Sequence, residues 1–159
     1  MTVSTTTLAA RVDALLDLFN RGSLDLPEGV LDRNAIFRLN GVAYGEGLGR
    51  PDDPLVRLIA RGPGGYRFLA KAVRYALPDA RASLGTLTRS PIDGGIVLRG
   101  EGRLEGSLRG SGDRFEEPCF VALTFQEDGR LVGLDVELDE SHVARILAAR
   151  AADAGGGRP

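Results

Sequence analysis

One stretch of the sequence, from Arg61 to Glu140, constrains the fold more than any other. It opens with glycines and a proline, continues as one amphipathic helix ending at Leu77-Pro78-Asp79, and then alternates apolar and polar residues between turns. Such period-two alternation, bounded by turn residues, is typical of antiparallel strands. We therefore predict an α+β fold in which a central helix lies across a curved antiparallel sheet. A second helix, from Leu8 to Arg21, would close one end and make a cone with a pocket inside.

Helical spacing and turn residues divide the rest of the chain into short elements. Apolar residues recur at helical spacing in the first 21 residues, and Gly22 follows as a C-cap. Glycines and prolines between Tyr44 and Asp53 predict a loop near the mouth of the pocket. Predicted helices cover residues 8–21, 27–32, 66–77 and 140–150, with one or two helical turns at 55–60, and predicted strands cover 35–39, 82–89, 95–105, 117–126 and 130–138.

Composition places the chain among ordinary globular domains. Its 159 residues are 43% hydrophobic and 26% charged, which suits one domain with its own core. We predict a single domain at 1–150 and a flexible tail at 151–159. A net charge of -2, without a run of Lys or Arg, argues against a nucleic-acid partner. No apolar run reaches the roughly 20 residues that cross a bilayer, and the first residues lack a signal-peptide pattern, so we expect a cytoplasmic protein.

The predicted pocket is lined by the inward positions of the strands. Alternation puts apolar residues at these positions and leaves few or no carboxylates among them. A pocket of this kind fits a hydrophobic small molecule. The predicted substrate-binding residues are Phe37, Leu39, Tyr66, Leu98, Val121, Leu134 and Val136, with Leu123 in the same inward set.

Four polar residues are candidates for chemistry. Tyr44, on the glycine-rich loop, and Asn40, after the first strand, could each donate a hydrogen bond to a substrate carbonyl. Arg99 and Glu101 put opposite charges on one strand face, as a coupled acid–base pair requires. A solvated or dimer-forming outer face would give the same alternation, and we favour that interpretation because charged stripes are more often surface than site.

The other reactive side chains favour structural roles. His142 begins the last predicted helix, where a capping or surface role is commoner than general base catalysis. Cys119 lies within a strand and fits a small buried hydrophobic residue better than a nucleophile. The sequence contains no metal-binding triad, phosphate-binding glycine loop or Ser-His-Asp order, so we predict neither a metal nor another cofactor.

Three segments resemble one family. Gly62-Pro63-Gly64-Gly65-Tyr66-Arg67-Phe68-Leu69, Ala76-Leu77-Pro78-Asp79-Ala80-Arg81 and Asp128-Gly129-Arg130-Leu131-Val132 are similar to the SnoaL-like polyketide cyclases of the nuclear-transport-factor-two-like superfamily. The resemblance runs from about Leu8 to Ala148 and implies a cone-shaped α+β fold. In this superfamily the pocket is adapted to cyclases, ketosteroid isomerase, limonene epoxide hydrolase, ring-forming enzymes and non-catalytic subunits, so the resemblance alone does not fix a reaction.

The resemblance places apolar residues where related enzymes carry acid–base groups. The general base and second aspartate of ketosteroid isomerase correspond to Leu39 and Val121. The water-binding residues of limonene epoxide hydrolase correspond to Phe37-Arg38-Leu39 and Val136. Its Arg-x-Asp pair has a counterpart in Arg99-Gly100-Glu101.

Three functions fit these observations. The first is a cofactor-independent cyclase in natural-product tailoring, which folds a linear polyketide or polyene for ring closure, for example by an intramolecular (4+2) cycloaddition. The second is an epoxide hydrolase or isomerase that uses Arg99 and Glu101, helped by Asp135 or Glu137. The third is a non-catalytic ligand-binding or assembly protein. Superfamily members pair through the sheet, so the resemblance also implies a homodimer.

Overall fold

The part of the chain that the structure describes forms a six-stranded sheet and three helices. The computed structural model describes residues 5–43, 60–146 and 148. In chain order the elements are α1 (Thr5–Asn20), β1 (Leu31–Leu39), β2 (Val42–Ala43), α2 (Gly62–Ala76), β3 (Arg81–Ile92), β4 (Gly95–Ser107), β5 (Arg114–Gln126), β6 (Leu131–Glu137) and α3 (140–146).

The strands lie in the order β2-β1-β6-β5-β4-β3. Strands β3 to β6 form the predicted antiparallel meander, whereas β1 runs parallel to β6, with Phe37 opposite Leu134. The sheet is therefore mixed rather than wholly antiparallel. Hairpin turns in the sequence fix the directions of β3 to β6, but β1 reaches β6 through a long connection that leaves no local signal of direction.

The glycine-rich segment before α2 is part of the helix rather than an interruption before it. The helix begins at Gly62, four residues earlier than predicted, with Pro63 in its first turn, where a missing amide hydrogen costs nothing. Gly62 has φ of 57°, and a Cβ there would lie 2.3 Å from the carbonyl oxygen of Arg33. Only glycine permits this close approach of α2 to β1.

Two further predictions differ from the structure because of strand pairing. The helix predicted over 27–32 is wrong: residues 28–30 form a turn, and β1 begins at Leu31, which pairs with Leu131. Tertiary pairing thus outweighs the local signal of Pro27. Strand β3 runs on through Pro91, which an edge strand tolerates because its amide side needs no partner. The loop predicted at Tyr44–Asp53, the turns at 55–59 and the tail at 151–159 lie outside the described residues.

Two glycines of β4 let β3 and β4 bend. β3 is irregular between Leu84 and Leu87, and a Cβ on Gly100 would lie 2.6 Å from the carbonyl oxygen of Thr86. A Cβ on Gly102 would lie 2.9 Å from that of Ser83. Side chains at these positions would push the two strands apart, so the glycines belong to the curvature that makes room for a cavity.

The side-chain amide of Asn20 bonds the end of α1 to the sheet. Asn20, the last residue of α1, donates to the carbonyl of Ala82 at 2.9 Å and accepts from its amide at 2.7 Å. This reciprocal pair of hydrogen bonds joins α1 to the edge strand β3 in the way that a neighbouring strand would.

Among the described residues, none of the helices is long and apolar enough to cross a membrane.

Candidate active-site cavity

A cavity of ≈ 530 Å³ lies between the concave face of the sheet and the helices. This volume falls within the range of about 300–1,000 Å³ that small-molecule sites occupy. Helices α1, α2 and α3 each contribute a wall, and the floor comes from the inward rows of the sheet. Its apolar lining includes Val12, Leu15, Leu16 and Phe19 of α1, Leu69, Ala70 and Val73 of α2, Val143 and Ile146 of α3, and Leu104, Val121, Leu123, Leu134 and Val136 of the sheet.

Two rows of side chains cross the floor of the cavity. In one row Leu98, Leu123, Leu134 and Phe37 are consecutive partners on β4, β5, β6 and β1. The other contains Gly100, Val121, Val136 and Leu39. Of the seven predicted substrate-binding residues, Phe37, Leu39, Tyr66, Val121, Leu134 and Val136 border the cavity, whereas Leu98 is packed in the core at 6% exposure.

Few polar groups border the cavity, and burial disfavours ionisation of two of them. The Tyr66 hydroxyl donates to the carbonyl oxygen of Ser23 at 3.1 Å. Burial raises the pKa of this hydroxyl, although the positive charge of Arg74 partly offsets the effect. Burial likewise raises the pKa of the Cys119 thiol. Both groups therefore stay neutral near pH 7, and Cys119 is a poor nucleophile.

Two arginines at the border of the cavity are already paired. Arg38 lies 3.7 Å from Asp135, and Arg103 lies 2.7 Å from Glu116. All four side chains are at least 36% exposed, so these pairs belong to the solvated rim rather than to the interior. Among the described side chains that border the cavity, the two charged ones therefore lie at its solvated rim.

Arg99 and Glu101 lie on the other face of the sheet. Both are exposed, and neither borders the cavity. Across this outer face, Arg99 is aligned with Ala122 of β5 and Asp135 of β6. Glu101 is aligned in the same way with Phe120 and Glu137. The structure thus does not bring the predicted acid–base pair to the cavity. Alternation along β4 fixes this outcome, since Leu98 and Leu104 take the inward positions.

The two predicted hydrogen-bond donors have different outcomes. The amide of Asn40 is engaged with the backbone of Leu138: its nitrogen donates at 2.9 Å, and its oxygen accepts at 2.8 Å. Asn40 has φ of 50°, which asparagine tolerates better than most residues, and it does not border the cavity. Its amide therefore fastens the end of β6 rather than facing a substrate. Tyr44 lies outside the described residues.

A charged cluster that the sequence does not predict lies beside residues that border the cavity. Glu117 continues the inward row of Cys119 and Val121 on β5, and it contacts His142 and Arg145 of α3 at 3.0 Å each. The signal was present in the sequence: Glu117 has the same parity as the inward residues of its strand. In the described part of the chain, no cluster of three or more His, Cys, Asp or Glu side chains could hold a metal ion.

Comparisons of the sequence and of the fold give different results. No family model matches the sequence, and neither does any curated protein. The fold does match solved structures. One is a proposed SnoaL-like polyketide cyclase from Jannaschia sp. CCS1, with 14% identity, a TM-score of 0.62, and coverage of 94% of this chain and 98% of that one.

Two further neighbours come from natural-product biosynthesis. SalBIII, an epoxide hydrolase/cyclase-like enzyme of pyran ring formation in salinomycin, has 13% identity and a TM-score of 0.63, covering 86% of this chain and 94% of its own. IdmH, a proposed polyketide cyclase from Streptomyces antibioticus, has 17% identity and a TM-score of 0.59, covering 89% and 98%. At these identities the matches establish the fold alone.

The fold implied by the sequence resemblance is thereby confirmed. The described helices and sheet border a cavity, and the chain aligns with the first two neighbours over 94% and 86% of its length. The chain has a cone-shaped α+β fold of the nuclear-transport-factor-two-like type, similar to that of a proposed SnoaL-like polyketide cyclase.

Proposed function

We propose that the protein is a cofactor-independent cyclase that folds a hydrophobic linear polyketide or polyene in its cavity for ring closure. The observation that carries the proposal is the lining of the cavity: its described residues are apolar except for Tyr66, Ser83, Cys119 and the two paired arginines at the rim. The printed functions of the fold neighbours, polyketide cyclase and pyran-forming cyclase, are consistent with it.

An apolar cavity suits a reaction that depends on shape. In an intramolecular (4+2) cycloaddition three π bonds become two new carbon–carbon σ bonds and one new π bond, and no proton or atom is gained or lost. The protein needs only to hold the diene and the alkene face to face. Because the tether already joins the two reacting groups, the protein lowers the barrier by restricting the internal rotations of the tether, which requires neither an acid nor a base.

The mass of the product tests the proposal. We would incubate the protein with a linear triene ester, in which a conjugated diene and an activated alkene are joined by a short tether, and follow the mixture by liquid chromatography and mass spectrometry. A cyclase gives a new peak of unchanged mass, faster than the reaction in buffer. Binding without a new peak would indicate a carrier instead, and neither binding nor turnover with a series of tether lengths would overturn the proposal.

The acid–base alternative makes a separate prediction. Because Arg99 and Glu101 are exposed on the outer face, we expect the double variant Arg99→Gln, Glu101→Gln to retain turnover within about twofold of the wild type. Steady-state rates with the triene ester, and with an epoxide probe whose hydrolysis adds the mass of one water, would check this. A loss of tenfold or more with either probe would return the pair to the mechanism.

We also propose that two copies pair through the outer face of the sheet. Phe120 is 56% exposed there, between Glu101 and Glu137, and the next row carries Arg99 and Asp135. In a dimer with a two-fold axis through Phe120, the glutamates beside Phe120 in one copy can lie opposite basic residues of the other copy.

The pairing makes its own prediction. We expect a dimer by sedimentation, and we expect Phe120→Glu to weaken it at least about tenfold, because the dimer would bury a charge at the apolar centre of its interface. Ile92→Glu is the matched control, since Ile92 is also exposed, at 42%, but lies at the tip of β3. A wild-type monomer at micromolar concentration would contradict the proposal, as would a Phe120→Glu dimer as tight as the wild type.

A further inference from the structure

Helix α3 forms one wall of the cavity. Val143 and Ile146, both in its described part, border the cavity. Helices in proteins owe most of their stability to tertiary packing rather than to their own hydrogen bonds, so the position of α3 depends on its contacts with the sheet. The contacts that attach α3 therefore decide whether this side of the cavity is closed.

Glu117 supplies the polar part of that attachment. One carboxylate oxygen accepts from Arg145 Nη1 at 3.0 Å, and the other lies 3.0 Å from His142 Nε2. The side chains of Glu117 and His142 are only 24% and 20% exposed. A carboxylate that accepts from an arginine and also contacts a histidine in a partly buried site makes stronger contacts than a surface ion pair.

Packing beneath α3 centres on one aromatic ring. Phe115 is fully buried, its ring meets that of His142 edge to face at 6.2 Å, and the guanidinium of Arg145 lies 5.1 Å from its centre. Arg145 also donates to the carbonyl of Arg114 at 3.2 Å. The residues that contact Glu117 are thus the ones that pack on Phe115, so the carboxylate fixes their orientation.

The N-terminal end of α3 has its own anchor. Asn40 bonds both backbone groups of Leu138, which itself borders the cavity. Asp139 follows directly and accepts the backbone amides of Ser141 and Val143, through its side chain at 2.9 Å and its carbonyl at 3.1 Å. The N-terminal end of α3 is therefore bonded to the end of β1 independently of the contacts of Glu117.

We infer that Glu117 is a positioning residue that holds α3 closed over the cavity, and that apolar ligands enter and leave where α3 separates from β5. Asn40 is the fixed end of this movement. The inference rests on the proposed function only in treating the cavity as a ligand site, and its principal test needs no substrate.

Cys119 reports on the opening directly. It is the only cysteine of the chain, it borders the cavity two residues from Glu117, and it is 8% exposed. We would measure its reaction with dithiodipyridine, an uncharged thiol reagent. Glu117→Gln keeps the shape of the side chain but removes its charge, and we expect labelling to be about tenfold faster, which corresponds to about 1.4 kcal/mol in the opening equilibrium.

Glu116→Gln is the matched control. Glu116 is the preceding residue, carries the same charge, and pairs with Arg103 at 2.7 Å on the solvated rim. We expect its labelling rate to stay within twofold of the wild type. Measuring the thiol pKa of each variant by the pH dependence of labelling removes any contribution from the lost charge itself.

Low urea concentrations separate local opening from global unfolding. If α3 opens locally, the labelling rate of Glu117→Gln stays nearly flat in dilute urea, and amide exchange accelerates mainly over 140–146. Two results would overturn the inference: labelling within twofold of the wild type, or labelling that rises with urea as steeply as global unfolding does.

Ligand kinetics distinguish this inference from the proposed function. With the triene ester, we expect Glu117→Gln to raise association and dissociation rates together by about the factor seen in labelling. A wild type that binds the ester, with rates that Glu117→Gln leaves unchanged, would refute the entry route and leave the cyclase proposal standing. A wild type that binds no ester, with labelling that still accelerates, would refute the cyclase proposal and leave the movement of α3 standing.

Discussion

Replacing Phe125 by alanine will lower the free energy of unfolding by about 3–5 kcal/mol, the range for truncating a large buried aromatic ring. Phe125 is 1% exposed and lies in the core cluster beside the cavity, opposite Ile96 on β4 and Leu131 on β6. Its removal leaves a void that both strands would have to collapse to fill. Urea denaturation followed by circular dichroism measures the change.

Phe120→Ala is the matched control for Phe125→Ala. The substitution is identical and lies on the same strand, but Phe120 is 56% exposed, so little apolar surface is lost and we expect less than about 1 kcal/mol. The measurement should be made at two protein concentrations, because loss of a dimer would lower stability only in a concentration-dependent way. Equal effects of the two substitutions would mean that the inward and outward faces of β5 are wrongly assigned.

Periodicity predicts the elements of this fold better than their partners. Alternation in β4 and β5 is strong, and both strands lie where predicted, although β5 begins three residues earlier, at Arg114. The direction of a strand and its place at the edge of a sheet depend on which strand it pairs with. The sequence pattern therefore predicts neither the parallel β1–β6 pair nor the extension of β3 through Pro91. The sequence pattern predicts that Gly62 lies before the helix, because its close approach to the backbone of Arg33 leaves no trace in the sequence.

The lining of the cavity followed from alternation, but its polar contacts did not. Alternation along each strand gives Val121 and Val136 inward positions and Arg99 and Glu101 outward positions. The first two border the cavity and the second two do not. Hydrogen-bond partners depend on chain segments far apart in sequence: Asn40 meets Leu138 across 98 positions. A polar side chain near a predicted pocket could therefore serve a substrate or the backbone equally well, and only the fold distinguishes the two.

Replacing Val136 by tryptophan will weaken binding of an apolar ligand by about 10- to 100-fold. It will lower the turnover rate of the triene ester by at least the same factor. Val136 lies in the middle of the floor, between Val121 and Leu39, and is only partly buried, so a larger side chain extends into the cavity. A ligand must then be accommodated as in an overpacked core, at a cost of about 1–3 kcal/mol, and each 1.4 kcal/mol is a factor of ten in affinity. Isothermal titration with the ester measures the affinity.

The control for Val136→Trp adds the same bulk to the other face of the sheet. Thr88 is β-branched like valine, is exposed, and lies opposite Arg99, so Thr88→Trp leaves the cavity untouched and should bind the ester as the wild type does. A selective loss in Val136→Trp, with both variants folded by circular dichroism, ties binding to the cavity. Unchanged binding in Val136→Trp would place the ligand elsewhere on the molecule. A cyclase working by shape alone would also lose rate more steeply than affinity, because the inserted ring disturbs the aligned pair of reacting groups more than it disturbs the apolar contacts.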